Sequence, residues 1–119
     1  MPSLEMGSTM YEFNKEVIET LLEDGLIGNY ALGNKSNNGS FIVNYVGRSD
    51  TDLKKRLMQH LDENHTYSYF KYSVAHSVKE AYFKECKNYH DFGAGVYLDN
   101  KNHPARPDGV KEACPYCGK

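Results

Sequence analysis

Tyr45-Val46-Gly47-Arg48-Ser49-Asp50-Thr51-Asp52-Leu53-Lys54-Lys55-Arg56-Leu57-Met58-Gln59-His60 is the stretch on which the fold turns. It continues Ser40-Phe41-Ile42-Val43-Asn44, and together they read as a strand rich in β-branched and aromatic residues. The strand stops at Gly47, and Ser49 with Asp52 has the spacing of a capping box that opens a helix over about 50–63. Leu53, Leu57 and Leu61 form the apolar stripe of that helix. Arg56 and His60, four residues apart, stack beside it.

Upstream, Gly28-Asn29-Tyr30-Ala31-Leu32 is a short strand, and Gly33 to Gly39 is a turn-rich connector. The two strands should pair as an antiparallel hairpin. A turn centred on Asn37-Asn38 sets position 30 opposite position 45, so that Tyr30 and Tyr45 share a face. A slip of one residue would part them.

Working outward, Thr9 and Glu12 form a capping box, and Phe13, Val17, Ile18, Leu21 and Leu22 predict a first helix over about 10–24, stopped by Gly25. Residues 67–74 predict a third strand. Ser77 and Glu80 cap a helix over about 77–92, ended by Gly93 and Gly95. The order α-β-β-α-β-α predicts an α+β fold, a small three-stranded antiparallel sheet flanked by helices. We divide the chain into an acidic N-terminal helix packed on the core (1–26), the core itself (27–107) and an irregular tail (108–119).

At 119 residues the chain suits one compact domain. No apolar run nears the roughly 20 residues of a membrane helix. No signal peptide is visible. Three cysteines, an odd count, argue against a disulfide framework and for a reducing, cytoplasmic setting. The net charge of −2 is unevenly spread. Residues 1–27 carry one Lys against six acids, whereas residues 28–119 carry 13 Lys+Arg against 10 Asp+Glu. A mildly basic body beneath an acidic first helix is compatible with a nucleic-acid face.

Glu85 is the most informative single residue. On a helical wheel it falls in the middle of the stripe formed by Val78, Ala81, Tyr82, Tyr89 and Phe92, while Lys79, Glu80, Lys84 and Lys87 take the wet side. A carboxylate on a packed face is costly unless it is paired, hydrogen-bonded or bound to metal. Two readings are open: a structural pair with a buried Arg or Tyr, or a metal ligand reaching a cleft.

Taken together these residues resemble the GIY-YIG nuclease family. Gly28-Asn29-Tyr30 stands for its first motif and Tyr45-Val46-Gly47 for its second. The helix motif is Ser49 to His60, with Leu53, Arg56, Leu57 and His60 in phase. Glu80-Ala81-Tyr82-Phe83-Lys84-Glu85 ends on the glutamate position. Asp99 to Pro104 matches a terminal asparagine motif, with Asn100 the first choice and Asn102 the reserve. The likeness covers about residues 27–107. It departs from the family pattern at Asn29, which replaces an apolar residue but should point away from both tyrosines. The connector is also longer, and Arg56 lies one residue further from Tyr45.

The resemblance implies a metal-dependent endonuclease acting on DNA, with one Mg²⁺ (or Mn²⁺) held by Glu85. It implies that Tyr30, helped by Tyr45 or His60, activates or orients water. Arg56 clamps the scissile phosphate, Arg48 or Lys55 adds backbone contacts, and Asn100 braces the site. The expected partner is double-stranded DNA, with low sequence specificity unless a protein partner or a homodimer supplies it. The alternatives are a DNA-binding or scaffold module of the same fold without cleavage, and a small zinc-ribbon interaction protein.

The tail carries Cys114-Pro115-Tyr116-Cys117-Gly118, a knuckle whose thiolates suit zinc. Two further ligands are needed, from Cys86, His103, His90 or a second chain.

Overall fold

The computed structural model describes residues 4–7, 9–63, 67–100 and 102–118. Its elements run β1 (Tyr11–Glu12), α1 (Lys15–Leu21), β2 (Gly28–Lys35), β3 (Phe41–Ser49), α2 (Leu53–Glu63), β4 (Tyr69–Val74), α3 (Val78–Asp91) and α4 (Ala94–Tyr97). The α+β class is as expected, but the antiparallel sheet has four strands, not three, in the order β1-β4-β2-β3. The extra strand is the two-residue β1, which pairs with β4 through Tyr11↔Phe70 and Glu12↔Tyr69. The expected Thr9–Glu12 box is therefore not a helix start. Asn14 is the cap, its side chain accepting from the Val17 amide at 2.9 Å, and α1 is correspondingly short.

The sheet separates two packed layers. On one face Tyr30, Leu32 and Phe70 meet Ile18 and Leu22 from the α1 region and Leu53 and Leu57 of α2. On the other, Ala31 and Val46 meet Tyr89 of α3. The acidic residues of α1 point outward, as expected: Glu16 and Glu19 are exposed. Asn29 also behaves as alternation requires, turning away from both tyrosines to donate to the Ala81 carbonyl at 2.9 Å.

The hairpin register is where the site is decided. The connection spans Ser36–Ser40, closed by Ser36 N–H to the Ser40 carbonyl at 2.8 Å, so its centre lies on Asn38, half a residue later than expected, and the pairing beside it shifts by one residue. A second one-residue shift falls between Leu32 and Gly33, where Leu32 pairs with Tyr45 but Gly33 with Val43, leaving Asn44 as a bulge. Either shift alone would send Tyr30 and Tyr45 to opposite faces. Together they put Tyr30 opposite Gly47, and the two tyrosines become diagonal neighbours on one face. Their rings stack with centroids 6.4 Å apart and planes 13° from parallel.

Candidate active site

β3 is an edge strand, and the cleft lies around its free side. Strand alternation sends Tyr45 and Gly47 to the α2 face and Val46 and Arg48 to the α3 face. The cleft wraps the edge between them. One part, about 200 Å³, is lined by Tyr30, Tyr45, Gly47, Arg48, Arg56 and Glu85, among others. The larger part, about 620 Å³, shares Tyr45, Arg56 and Glu85 and adds His60, Asn100 and the wall formed by Asn102–Ala105. Both are open to solvent. Glu85 and Arg56 thus reach one cleft with Tyr30 and Tyr45, although they are carried by helices on opposite faces of the sheet.

On the α2 face the Tyr30 hydroxyl and His60 Nε2 lie 2.6 Å apart in the buried wall. Tyr45 closes over His60 edge to face, with ring centroids 5.0 Å apart. Burial raises the Tyr30 hydroxyl well above its ordinary range, with Arg56 pulling partway back. Burial, and then the Arg56 cation, lower His60 to about 4. Tyr30 and His60 are therefore both neutral at pH 7, and the direction of the hydrogen bond between them follows the imidazole tautomer. Arg56 itself is half-buried and donates to Gln59 Oε1 at 3.1 Å.

Gly47 makes this arrangement sterically possible. A Cβ at position 47 would lie 2.4 Å from the end of the Tyr30 phenol. Gly47→Ala is expected to destabilise the fold by about 1–3 kcal/mol as the ring is forced aside. It should also break the Tyr30–His60 contact. Urea unfolding checks the first effect, and the NMR chemical shift of His60 Nε2 the second; an unchanged shift would show that the ring has not moved.

On the α3 face Glu85 is buried and accepts from Arg48 Nη1 at 2.5 Å. Arg48 Nε also bonds Asp50 Oδ1 at 2.8 Å, and its guanidinium lies over the Tyr82 ring, 5.3 Å from the centroid. Burial raises the Glu85 carboxyl above its usual range, and Arg48 partly offsets this. The paired reading of Glu85 thus describes its present partner, while the carboxylate still borders the cleft. Arg48, expected as a contact to the nucleic-acid backbone, is taken up inside this triad. Lys55 is exposed on α2 and does not line the cleft.

Asn100 acts on the edge strand itself. Its Nδ2 donates to the Val46 carbonyl at 2.8 Å, and its Oδ1 accepts from the Val46 amide at 3.1 Å. One side-chain amide therefore satisfies the outward backbone pair between Tyr45 and Gly47, as a neighbouring strand would. The Asp99 amide adds a bond to the Asn44 carbonyl at 2.7 Å. Asn102 is exposed and only lines the cleft.

Sequence reasoning missed Asp50 as a partner of Arg48, and Tyr67, whose hydroxyl donates to Asp99 at 2.7 Å in the larger part of the cleft. Asp50 was within reach of inspection, two residues after Arg48. Tyr67 and Asp99 are 32 residues apart and carried no local signal.

Behind the cleft wall, His90, His103, Cys114 and Cys117 bring their ligand atoms within 4.8 Å of one another, a group able to hold a metal ion. Cys86, one of the sources expected for the two further ligands, is buried beside Cys114 but does not belong to that group. The three cysteines are free thiols, and no described helix is long and apolar enough to cross a membrane.

No protein-family model, curated protein or solved structure matches the chain.

Proposed function

We propose that this chain is a divalent-metal-dependent endonuclease that hydrolyses DNA phosphodiester bonds. One observation carries the reading: Tyr30, Tyr45, Arg56 and Glu85 border one open pocket at the edge of β3, and His60 lines the adjoining pocket that shares Tyr45, Arg56 and Glu85 with it. Hydrolysing a phosphodiester needs a cation for the phosphate, a proton acceptor for water and a carboxylate for metal. The cleft provides each.

Arg56 supplies the planar donor fork that matches phosphate oxygens. Water placed against Tyr30 loses a proton to the tyrosine oxygen as the tyrosine proton passes to His60 Nε2, 2.6 Å away. A bound phosphate neutralises Arg56, removing one of the two causes that depress His60, so the base strengthens as substrate arrives. Tyr45 packs on His60 and keeps the ring in place. Asn100 holds Val46 and with it the strand that carries Tyr45.

Glu85 is the carboxylate suited to hold Mg²⁺ or Mn²⁺, a single-carboxylate ligand set of the kind that substrate phosphate and water complete. When bound, such an ion supplies Lewis-acid stabilisation of the leaving oxygen. The cysteine-rich knuckle at Cys114 and Cys117 suits a second and softer ion, zinc. Double-stranded DNA is the proposed partner, in a cytoplasmic setting, with specificity left to a protein partner or a second copy.

The test is nicking of supercoiled plasmid with Mg²⁺, with Mn²⁺ and with EDTA, followed over pH. Cleavage is expected only with metal. On its acid side it should persist below the usual imidazole range near pH 6.5, because His60 stays neutral down to about 4. The competing reading, a DNA-binding module without cleavage, is favoured by the Arg48 guanidinium already seated on Glu85. DNA binding with no nicking in either metal would establish that module instead.

A further inference from the structure

We propose that His90, His103, Cys114 and Cys117 together form a closed, four-ligand zinc site that staples the C-terminal tail and the cleft wall to α3. The proposal is independent of the nuclease reading, since it concerns other residues and another ion.

The donors come from three places: His90 from the last turn of α3, His103 from the segment after Asn100, and the two cysteines from the tail. Zn–N and Zn–S bonds of about 2.0–2.1 and 2.3 Å place tetrahedral ligand atoms roughly 3.3–3.8 Å apart. His90 Nε2 and His103 Nε2 are 3.3 Å apart, and Cys117 Sγ is 3.2 Å from His103 Nε2. The whole set lies within 4.8 Å, so closure onto one ion asks for movements of about 1 Å.

The tautomer is also set for metal. His103 Nδ1 lies 2.9 Å from the Pro104 carbonyl, which can only accept. The proton is therefore on Nδ1, and Nε2 presents its lone pair to the other three donors. In the knuckle, the Gly118 amide donates to the Cys114 carbonyl at 2.9 Å, and Gly118 adopts a left-handed φ of 78°. That tight turn brings both thiols to the same side. Two thiols and two imidazoles form a soft N/S set that selects zinc over magnesium. With all four positions filled by protein, no position is open for substrate, so the site is structural, not catalytic.

The tail has reason to need a staple. Described residues 102–118 include no helix or strand. Their buried anchors are few: Pro104, Pro107 and Cys114, the last packed with Tyr82 and Cys86 and flanked by Val110 and Phe83. His103 is shared between the two structures, since it is a proposed ligand and also lines the cleft beside Asn102 and Pro104. Fixing His103 to α3 fixes that wall.

The experiment uses the untagged full chain, purified without chelator from zinc-supplemented cells. Metal analysis is expected to give one zinc per chain. Replacement by Co²⁺ should give the d–d bands and sulfur-to-metal charge transfer of a tetrahedral thiolate site. Cys117→Ser changes an exposed side chain, and His90→Ala a half-buried one; each should reduce zinc to below a tenth of an equivalent with circular dichroism retained. Cys86→Ala should keep the full equivalent. Chelation should speed tryptic cleavage after Lys111 at least tenfold. A zinc-free chain whose reduced form gives no thiolate–Co²⁺ spectrum overturns the site. Equal loss of zinc in Cys86→Ala and Cys117→Ser overturns the ligand set, and unchanged trypsin sensitivity overturns the staple.

Discussion

Arg56→Ala and Glu85→Gln are each expected to lower Mg²⁺-dependent plasmid nicking by about 10²–10³-fold, the scale of losing one preorganised electrostatic contact to a developing charge. Arg56 is the cleaner probe. It forms no ion pair among the described residues, so its removal leaves no buried charge unpaired. Thermal stability should scarcely change while kcat falls. Arg56→Lys keeps the charge but not the fork, and should recover only part of the loss. Removing Arg56 also lifts one of the causes that hold His60 near 4, so the imidazole titrates closer to neutrality and the acid limb of the pH profile moves up. Glu85→Gln keeps the shape and an acceptor for Arg48 but not the carboxylate charge. Nicking at the parent rate in both variants would remove both residues from the chemistry.

What could be read from the sequence follows physical range. The helix caps at Asn14 and Ser77 are local; the second was foreseen and the first was displaced by Thr9, whose spacing to Glu12 imitates a cap. The two-residue β1 has no period to detect, and it exists only because β4 offers it an edge. Glu85 was legible because a carboxylate in an apolar stripe needs a partner, and period alone identified it as anomalous. Which partner it had was not legible, since Arg48 approaches it across 37 residues. The shared face of Tyr30 and Tyr45 was reached by an incorrect register whose error was two residues. Strand parity is blind to an even slip. The fourfold His/Cys group was half visible as the knuckle. The histidines could not be assigned until the chain path from Asn100 to Cys114 was known.

The Arg48–Glu85 pair gives the largest expected effect on stability. Both side chains are about one-tenth exposed, at 10% and 11%. Breaking such a pair from one side strands a charge, at a cost of about 3–5 kcal/mol. The two sides are not equivalent. In Glu85→Leu, Arg48 keeps Asp50, whose carboxylate is 2.8 Å away and partly exposed. In Arg48→Met, Glu85 loses its cation and has no other base bonded to it among the described residues. Arg48→Met should therefore fall at the upper end of the range and Glu85→Leu below it. The double variant should regain most of the loss, because two apolar side chains of similar volume replace the pair without an orphan. The urea-unfolding cycle then reads a coupling energy rather than two separate losses. Acid separates the causes. Burial already raises the Glu85 pKa in the parent chain, and deleting Arg48 removes the contact that opposes it. The folded-state pKa then lies further above the unfolded one. The penalty on the charged carboxylate is fully present above the folded-state pKa and disappears below the unfolded value of about 4.3. The Arg48→Met deficit should shrink as the pH falls through that window. A deficit that stays constant from neutral pH to pH 4 would mean that Arg48 stabilises the fold through its packing on Tyr82 instead of its charge.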